Sequence, residues 1–305
     1  MKRMKTVKRG LAVVAFLVAV AGVGFYLRPL SYFNGIMYIK AFLSGVESHT
    51  VEVSGYRVHY NVHGPKSGAP VVLVHGLAGR AEDWQSLSVY LVASGYRVYM
   101  PDLLGCGRSE RPRDFSYAVH DEAEQVVRFM DAVGLKQADV GGWSMGGWIV
   151  QVVAARHPER VRRLMLFDSS GIHEYPKYDV ELFTPHSAED LDQLDVLLMP
   201  KPPQVPQFIA RDIIRTSDED AWVVHKSLNE MLSAQDTTEA MLPQLKMPVL
   251  LVWGGEDKIT PESQGETIHR LVPQSQLVVI AGCGHLAPDQ CADKIGPKVA
   301  EFLKR

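Results

Sequence analysis

The segment with the clearest chemical content is Gly142-Trp143-Ser144-Met145-Gly146-Gly147. Between a strand and a helix, a Gly-x-Ser-x-Gly stretch forms a sharp elbow that lifts the serine hydroxyl clear of the sheet. The glycines are needed because Cβ atoms there would collide with the neighbouring strand and helix. The following helix points its first backbone N–H groups at the site and favours negative charge there. A serine hydroxyl needs a base to become a nucleophile. Of 11 histidines, His285 in Ala281-Gly-Cys-Gly-His-Leu-Ala-Pro288 follows the last apolar run, where a loop can present an imidazole to the elbow. His75 is the nearest rival, but it precedes the serine, and a strand-end His-Gly is better suited to shaping an oxyanion loop. The base in turn needs a carboxylate to fix its tautomer and stabilise the imidazolium. Asp257, in Trp253-Gly-Gly-Glu-Asp-Lys-Ile-Thr-Pro261, is the choice, with Asp168 as its understudy. Glu256 points a different way from the same turn, and Asp102 in Pro101-Asp-Leu-Leu-Gly105 reads as a structural turn residue. Two backbone donors for a developing oxyanion complete the set: the N–H groups of Met145 and Leu77. The chemistry these residues suit is acyl transfer to Ser144.

Such a constellation needs a sheet to carry it. Thr50–Val53 and Tyr56–Val62 alternate with period two around Ser54-Gly55 and predict a hairpin. Pro70–His75, Arg97–Met100, Ala138–Gly141, Arg163–Phe167, Val249–Trp253 and Leu277–Ile280 are short apolar runs, typical of strands buried on both faces of a parallel sheet. Helical patterns such as His120–Val133 and Trp148–Arg156 lie between most of them, which implies βαβ units and a doubly wound sheet. One interval breaks the alternation. From Ile172 to Pro243 the text is helical, acidic and punctuated by Met199-Pro-Lys-Pro-Pro203, and it reads as a helical lid inserted over the C-terminal edge of the sheet, where open α/β folds place ligands.

The 305 residues, 46% hydrophobic and 22% charged, are ample for one large domain. A net charge of −3 gives no reason to expect nucleic acid as a partner. Cys106, Cys283 and Cys291 do not read as a disulfide framework, and no metal-ligand spacing occurs, so neither metal nor cofactor is expected. Lys2, Arg3, Lys5, Lys8 and Arg9 precede the uncharged run Leu11–Leu27, which is at the short edge of what spans a hydrocarbon core of ~30 Å. Ala19-Val20-Ala21 fits a signal-peptide cleavage site that would leave Gly22 first. An uncleaved anchor over residues 1–28 suits the length of the run better, with the basic end cytoplasmic and the rest on the far side. Residues 29–48 then form a juxtamembrane amphipathic helix lying on the membrane or against the catalytic domain, and 49–305 form that domain, with the lid at about 172–243.

The His75-Gly76 loop, Asp102-Leu-Leu-Gly105-Cys-Gly107-Arg-Ser109, the Ser144 elbow, Gly255-Glu-Asp257 and Gly284-His285 together resemble the α/β-hydrolase superfamily over roughly residues 50–305, in which the triad order Ser, Asp, His is usual. Among its members, the N-terminal apolar segment and Ser-Met-Gly-Gly elbow are similar to membrane-anchored monoacylglycerol lipases and related carboxylesterases. That resemblance implies hydrolysis of a carboxylic ester, expected here to be a lipid ester such as a monoacylglycerol or lysophospholipid, through an acyl-enzyme and without cofactor. Ser144 argues against haloalkane dehalogenases and epoxide hydrolases, which carry Asp there. Carbon–carbon bond hydrolases and small-ester esterases share the same triad and remain open, as does, more distantly, a non-catalytic scaffold.

Overall fold

The structure, a computed structural model, describes residues 2–304, with side chains from Val14 onward. The chain begins with two helices, α1 (Lys2–Leu27) and α2 (Pro29–Leu43). Strands β1 (Glu47–Val53) and β2 (Tyr56–His63) follow as the expected antiparallel hairpin. The alternation then runs β3 (Ala69–Val74), α3 (Gln85–Ala93), β4 (Tyr96–Pro101), α4 (Val119–Ala132), β5 (Ala138–Trp143), α5 (Met145–Arg156) and β6 (Val161–Phe167). Helices α6 (Ala188–Leu198) and α7 (Gln207–Leu232) separate β6 from β7 (Val249–Gly254). The chain closes with α8 (Glu262–Leu271), β8 (Gln276–Ile280), the short α9 (Ala287–Gln290) and α10 (Ala292–Leu303).

The eight strands form one sheet in the order β1-β2-β4-β3-β5-β6-β7-β8. Pairing is parallel from β4 to β8 and antiparallel only at the β1–β2–β4 end. Each of the eight runs singled out in the sequence is a strand. The central ones need their apolar continuity because both faces are covered: β5 and β7 are buried at every residue. One core layer joins α4 and α5 to the sheet through Phe129, Met130, Ile149 and Val153. The opposite layer holds Trp84, Leu87, Leu91, Ile295 and Val299. Crossovers that reverse direction around β3 and β5 open a crevice at the carboxyl ends of these strands, the place where α/β sheets bind ligands.

Two features differ from the sequence reading. Cys283 and Cys291, eight residues apart, are joined in a disulfide, while Cys106 is buried and free. The odd count concealed a local pair, which the turn after β8 and helix α9 bring to a Cα separation of 6.4 Å. For the expected span over residues 1–28, side chains are described only from Val14 onward. Among the described residues no single helix is long and apolar enough to cross a membrane; Val14–Leu27 and Pro29–Leu43 meet that test only as a pair, bent by 101°. Leu11 to Val13 and the basic residues Lys2 to Arg9 lie outside the residues whose side chains are described. Strand β1 begins at Glu47, so the juxtamembrane helix gives way to the sheet before residue 48.

The helix pair is not detached from the domain. The backbone N–H of Leu30 donates to Oδ2 of Asp212 on α7 at 3.0 Å, and Arg215 donates to the other oxygen of that buried carboxylate. Tyr26 stacks on Phe208 with ring centroids 5.5 Å apart, and Arg211 donates to the carbonyl of Tyr26. On their other sides α1 and α2 leave Phe16, Leu17, Val18, Phe33, Ile36, Ile39, Phe42 and Leu43 exposed.

Candidate active site

Ser144 occupies the single residue between β5 and α5, at φ 55° and ψ −121°. Positive φ in a residue with a Cβ is strained and persists only where the surroundings enforce it. Here they do. The Ser144 N–H donates to the Phe167 carbonyl at 3.0 Å, and its carbonyl accepts from Ser170 at 3.1 Å and Trp148 at 3.2 Å. The turn is so tight that a Cβ on Gly146 would lie 2.3 Å from the carbonyl oxygens of Val74 and His75. Backbone cannot retreat as a flexible side chain can. Gly146→Ala is therefore expected to destabilise the protein by at least about 2 kcal/mol, read as a lowered midpoint in denaturant unfolding.

His285 follows β8, and its Nε2 lies 2.9 Å from Ser144 Oγ. Its Nδ1 lies 2.8 Å from Asp257 Oδ2. The carboxylate is held in turn: Oδ1 accepts from the N–H groups of Ile259 at 2.8 Å and Thr260 at 3.0 Å, and Oδ2 accepts from the Thr260 hydroxyl at 2.8 Å. The imidazole loop is fixed on both sides. His285 N–H donates to the carbonyl of Leu198, at the end of α6, and Trp143 Nε1 donates to the carbonyl of His285. All three side chains are buried. With Nδ1–H donating to the carboxylate, Nε2 is left as a lone pair facing the serine hydroxyl, the arrangement a general base requires.

The remaining candidates fall elsewhere. Asp168 directly follows β6, fully buried, with Oδ1 accepting from Gly254 N–H at 2.6 Å. Burial first, and the charge of Asp257 second, push its carboxyl well above the usual carboxylate range. Asp102 is a turn anchor that accepts from the N–H groups of Ala81 and Arg108 and contacts His59 Nδ1 at 2.7 Å. His75 accepts from Leu103 N–H at Nε2 and so donates through Nδ1 to the carbonyl of Gly76. Burial lowers its pKa and keeps it neutral. The loop it braces runs against the elbow, since a Cβ on Gly76 would be 3.1 Å from Ser144 Cβ. Leu77 thus faces the serine from one side, and Met145 opens α5 on the other.

Sequence reasoning did not find Thr260, whose hydroxyl binds Asp257, or the part the insertion plays through Leu198. A Thr three residues after a candidate carboxylate was the available signal for the first, whereas no local signal exists for the second.

Two cavities meet at Ser144, with Leu77 and Phe183 in the wall of both. One, of about 120 Å³, runs past Trp148, Ile172, Leu228, Met231 and Leu232. The other, of about 280 Å³, runs past Trp143, Leu194, Leu198 and His285. Residues of the insertion therefore line both.

Comparison with known proteins agrees with this architecture. A family model described as the alpha/beta hydrolase fold matches residues 69–230 and 224–290. The chain is 29% identical to Lipase 1 of Psychrobacter immobilis over 262 residues, covering 82% of this chain and 81% of that protein. It is 30% identical to the 2-hydroxymuconate semialdehyde hydrolase of Pseudomonas sp. (strain CF600) over 266 residues, covering 83% and 93% respectively. Among solved structures, a membrane phospholipase A described as a novel bacterial virulence factor superposes with a TM-score of 0.83 at 27% identity, covering 97% of this chain and 98% of that one.

Proposed function

This chain belongs to the α/β-hydrolase family, and within that family we propose that it is a serine esterase acting on lipid esters through an acyl-enzyme on Ser144. The observation that carries the reading is the continuous buried chain of hydrogen bonds from Ser144 Oγ through His285 to Asp257, at 2.9 and 2.8 Å, opening on an apolar cavity. In this scheme His285 Nε2 takes the Ser144 proton as Oγ attacks the ester carbonyl. The N–H groups of Leu77 and Met145 hold the oxyanion, and Asp257 stabilises the imidazolium. His285 then gives the proton to the departing alcohol and afterwards activates water to release the acid. Neither metal nor cofactor enters this sequence.

Four observations favour a lipid substrate. The cavity wall beside Ser144 is rich in Trp, Leu, Met and Ile side chains. Residues of the insertion over 172–243 line both cavities at Ser144, which supports its reading as a lid. The exposed apolar residues of α1 and α2 form a surface that a bilayer would cover, and both a lipase and a membrane phospholipase A are among the similar proteins. We assign residues 1–28 to membrane attachment, 29–46 to the interface and 47–305 to catalysis on the far side.

A second reading keeps the triad and changes the bond, because carbon–carbon hydrolases of ring-cleavage products are equally similar in sequence. Labelling with a fluorophosphonate, followed by an acyl-chain series, tests the choice. Labelled protein is expected in the membrane fraction of cells expressing the wild type and absent for Ser144→Ala, with kcat/KM rising from acetyl to longer acyl esters. Labelling combined with a preference for a vinylogous diketone over every ester would transfer the assignment to the second reading. Deleting residues 1–28 is expected to move the labelled band into the soluble fraction. A labelled protein that begins at Gly22 in wild-type cells would replace the anchor with a cleaved signal.

A further inference from the structure

A cleft of about 420 Å³ lies beside the end of α1 and takes no part in the chemistry at Ser144. Tyr26 of α1, His186 just before α6, and Phe208, Arg211 and Ile214 at the start of α7 contribute to its wall. We propose that this cleft receives the phosphate-bearing headgroup of a phospholipid from the bilayer in which α1 lies, with Arg211 as the main cationic contact. The proposal rests on the reading of residues 1–28 as membrane attachment. It adds a lipid contact made by the insertion itself, apart from the ester that reaches Ser144.

The charges of the cleft favour an anion. No Asp or Glu stands in its wall, whereas Arg211 and His186 do. Arg211 is exposed. Its guanidinium donates once, to the Tyr26 carbonyl at 3.2 Å, and lies over the Tyr26 ring at 5.2 Å from the centroid. Among the described residues no carboxylate pairs with it. The neighbouring arginines differ, since Arg215 pairs with Asp212 and Glu219, and Arg28 lies 3.9 Å from Asp212. Acids on the adjoining segments are committed too. Asp218 contacts His186 Nδ1 at 3.1 Å, and Asp190 accepts from the backbone N–H groups of His186 and Ser187. Arg211 is thus a cation held in place by an aromatic ring, with its remaining donors open to a counter-ion.

Position selects the source of that anion. The exposed apolar residues of α1 run up to Tyr26 and Leu27 and stop at Arg28. Hydrocarbon therefore gives way to headgroups at the level of Tyr26, where aromatic and basic residues commonly sit. Phospholipid phosphates occupy that level, and a guanidinium fork matches their oxygens in pairs. Basic pockets between helices hold lipid headgroups in this way. Phe208 and Ile214 offer apolar contact to the carbon atoms next to the phosphate. Helix α7 continues from this cleft to Leu228, Met231 and Leu232 in the wall of the cavity at Ser144. A headgroup bound at its start would fasten that end of the insertion to the membrane surface.

The test uses purified full-length protein in detergent micelles, carrying Ser144→Ala so that lipid binds without being cleaved. Native mass spectrometry reads the Kd of dioleoylphosphatidylglycerol and of dioleoylglycerol, which has the same chains and no phosphate. The ratio of the two within each variant cancels the contribution of the chains. The parent protein is expected to prefer the phospholipid by about fivefold or more. Arg211→Gln is expected to lower that preference about fivefold, and Arg211→Lys, which keeps the charge, to retain most of it. Arg113→Gln, an exposed arginine stacked on Trp222 outside the cleft, should leave it unchanged. The site alone is overturned by an unchanged preference in Arg211→Gln or an equal loss in Arg113→Gln. Full displacement of the lipid by inorganic phosphate, or a protein dimer that carries no lipid, overturns it equally. Wild-type protein recovered in the soluble fraction of lysed cells overturns membrane attachment and the site with it.

Discussion

Replacing Ser144 by alanine is expected to lower kcat on a lipid ester by roughly 10⁴- to 10⁶-fold, with fluorophosphonate labelling abolished and the fold intact. The size of the loss follows from the geometry, since among the described residues the Ser144 hydroxyl alone is hydrogen-bonded to His285 Nε2, at 2.9 Å. What survives would come from oxyanion donors and binding alone. The same position carries an effect of opposite sign on stability. Ser144 holds φ 55°, a conformation that glycine adopts without the Cβ penalty. Ser144→Gly is thus expected to be inactive yet more stable than Ser144→Ala by about 1 kcal/mol, seen as a higher unfolding midpoint. An active Ala variant would remove Ser144 from the mechanism, and a Gly variant less stable than Ala would mean that the elbow is not strained.

Asp257→Asn is expected to cost about 10⁴-fold in kcat/KM. Oδ1 of Asp257 accepts two backbone N–H groups, from Ile259 and Thr260. An asparagine would keep its oxygen there, leaving its NH₂ toward His285. The imidazole would then turn its unprotonated Nδ1 to that group and carry its proton on Nε2, facing Ser144, where it cannot act as a base. Asp168→Asn should behave differently. Burial and the nearby charge of Asp257 push that carboxyl well above the usual carboxylate range, and its Oδ1 accepts from Gly254, so an amide oxygen can replace it with a loss within about tenfold. Assays of both variants over a range of pH decide the matter. Equal losses would mean that the two acids act as one unit, and the reverse order would make Asp168 the orienting acid.

Much of this was legible in the sequence because it was local. The elbow is written in six consecutive residues, and continuous apolar runs flanked by Gly and Pro mark strands covered on both faces. The His285 loop could be located because it follows the last such run. Other features depend on distant residues meeting. Leu198 holds the His285 backbone from the end of an inserted helix, and Asp212 takes the N–H of Leu30 from the opposite side of the sequence. No spacing rule connects those positions. The Cys283–Cys291 pair was hidden for another reason, because an odd count of three cysteines gives no parity argument for a pair. Asp168 was the closest contest, since only its burial and its bond to Gly254 separate it from Asp257.

The disulfide has a consequence for how the protein is made. Cys283 and Cys291 enclose His285 in the ring they close, and closing a loop of that length limits the freedom of the open chain by about 2–3 kcal/mol. Such bonds persist in oxidising compartments and are removed where glutathione and thioredoxin keep thiols reduced. On the proposed placement of residues 47–305 across the membrane, a newly synthesised chain carries its base on an unstapled segment until it has left the reducing side. Maturation of the base would then be an event in the life of the molecule, dated by its export.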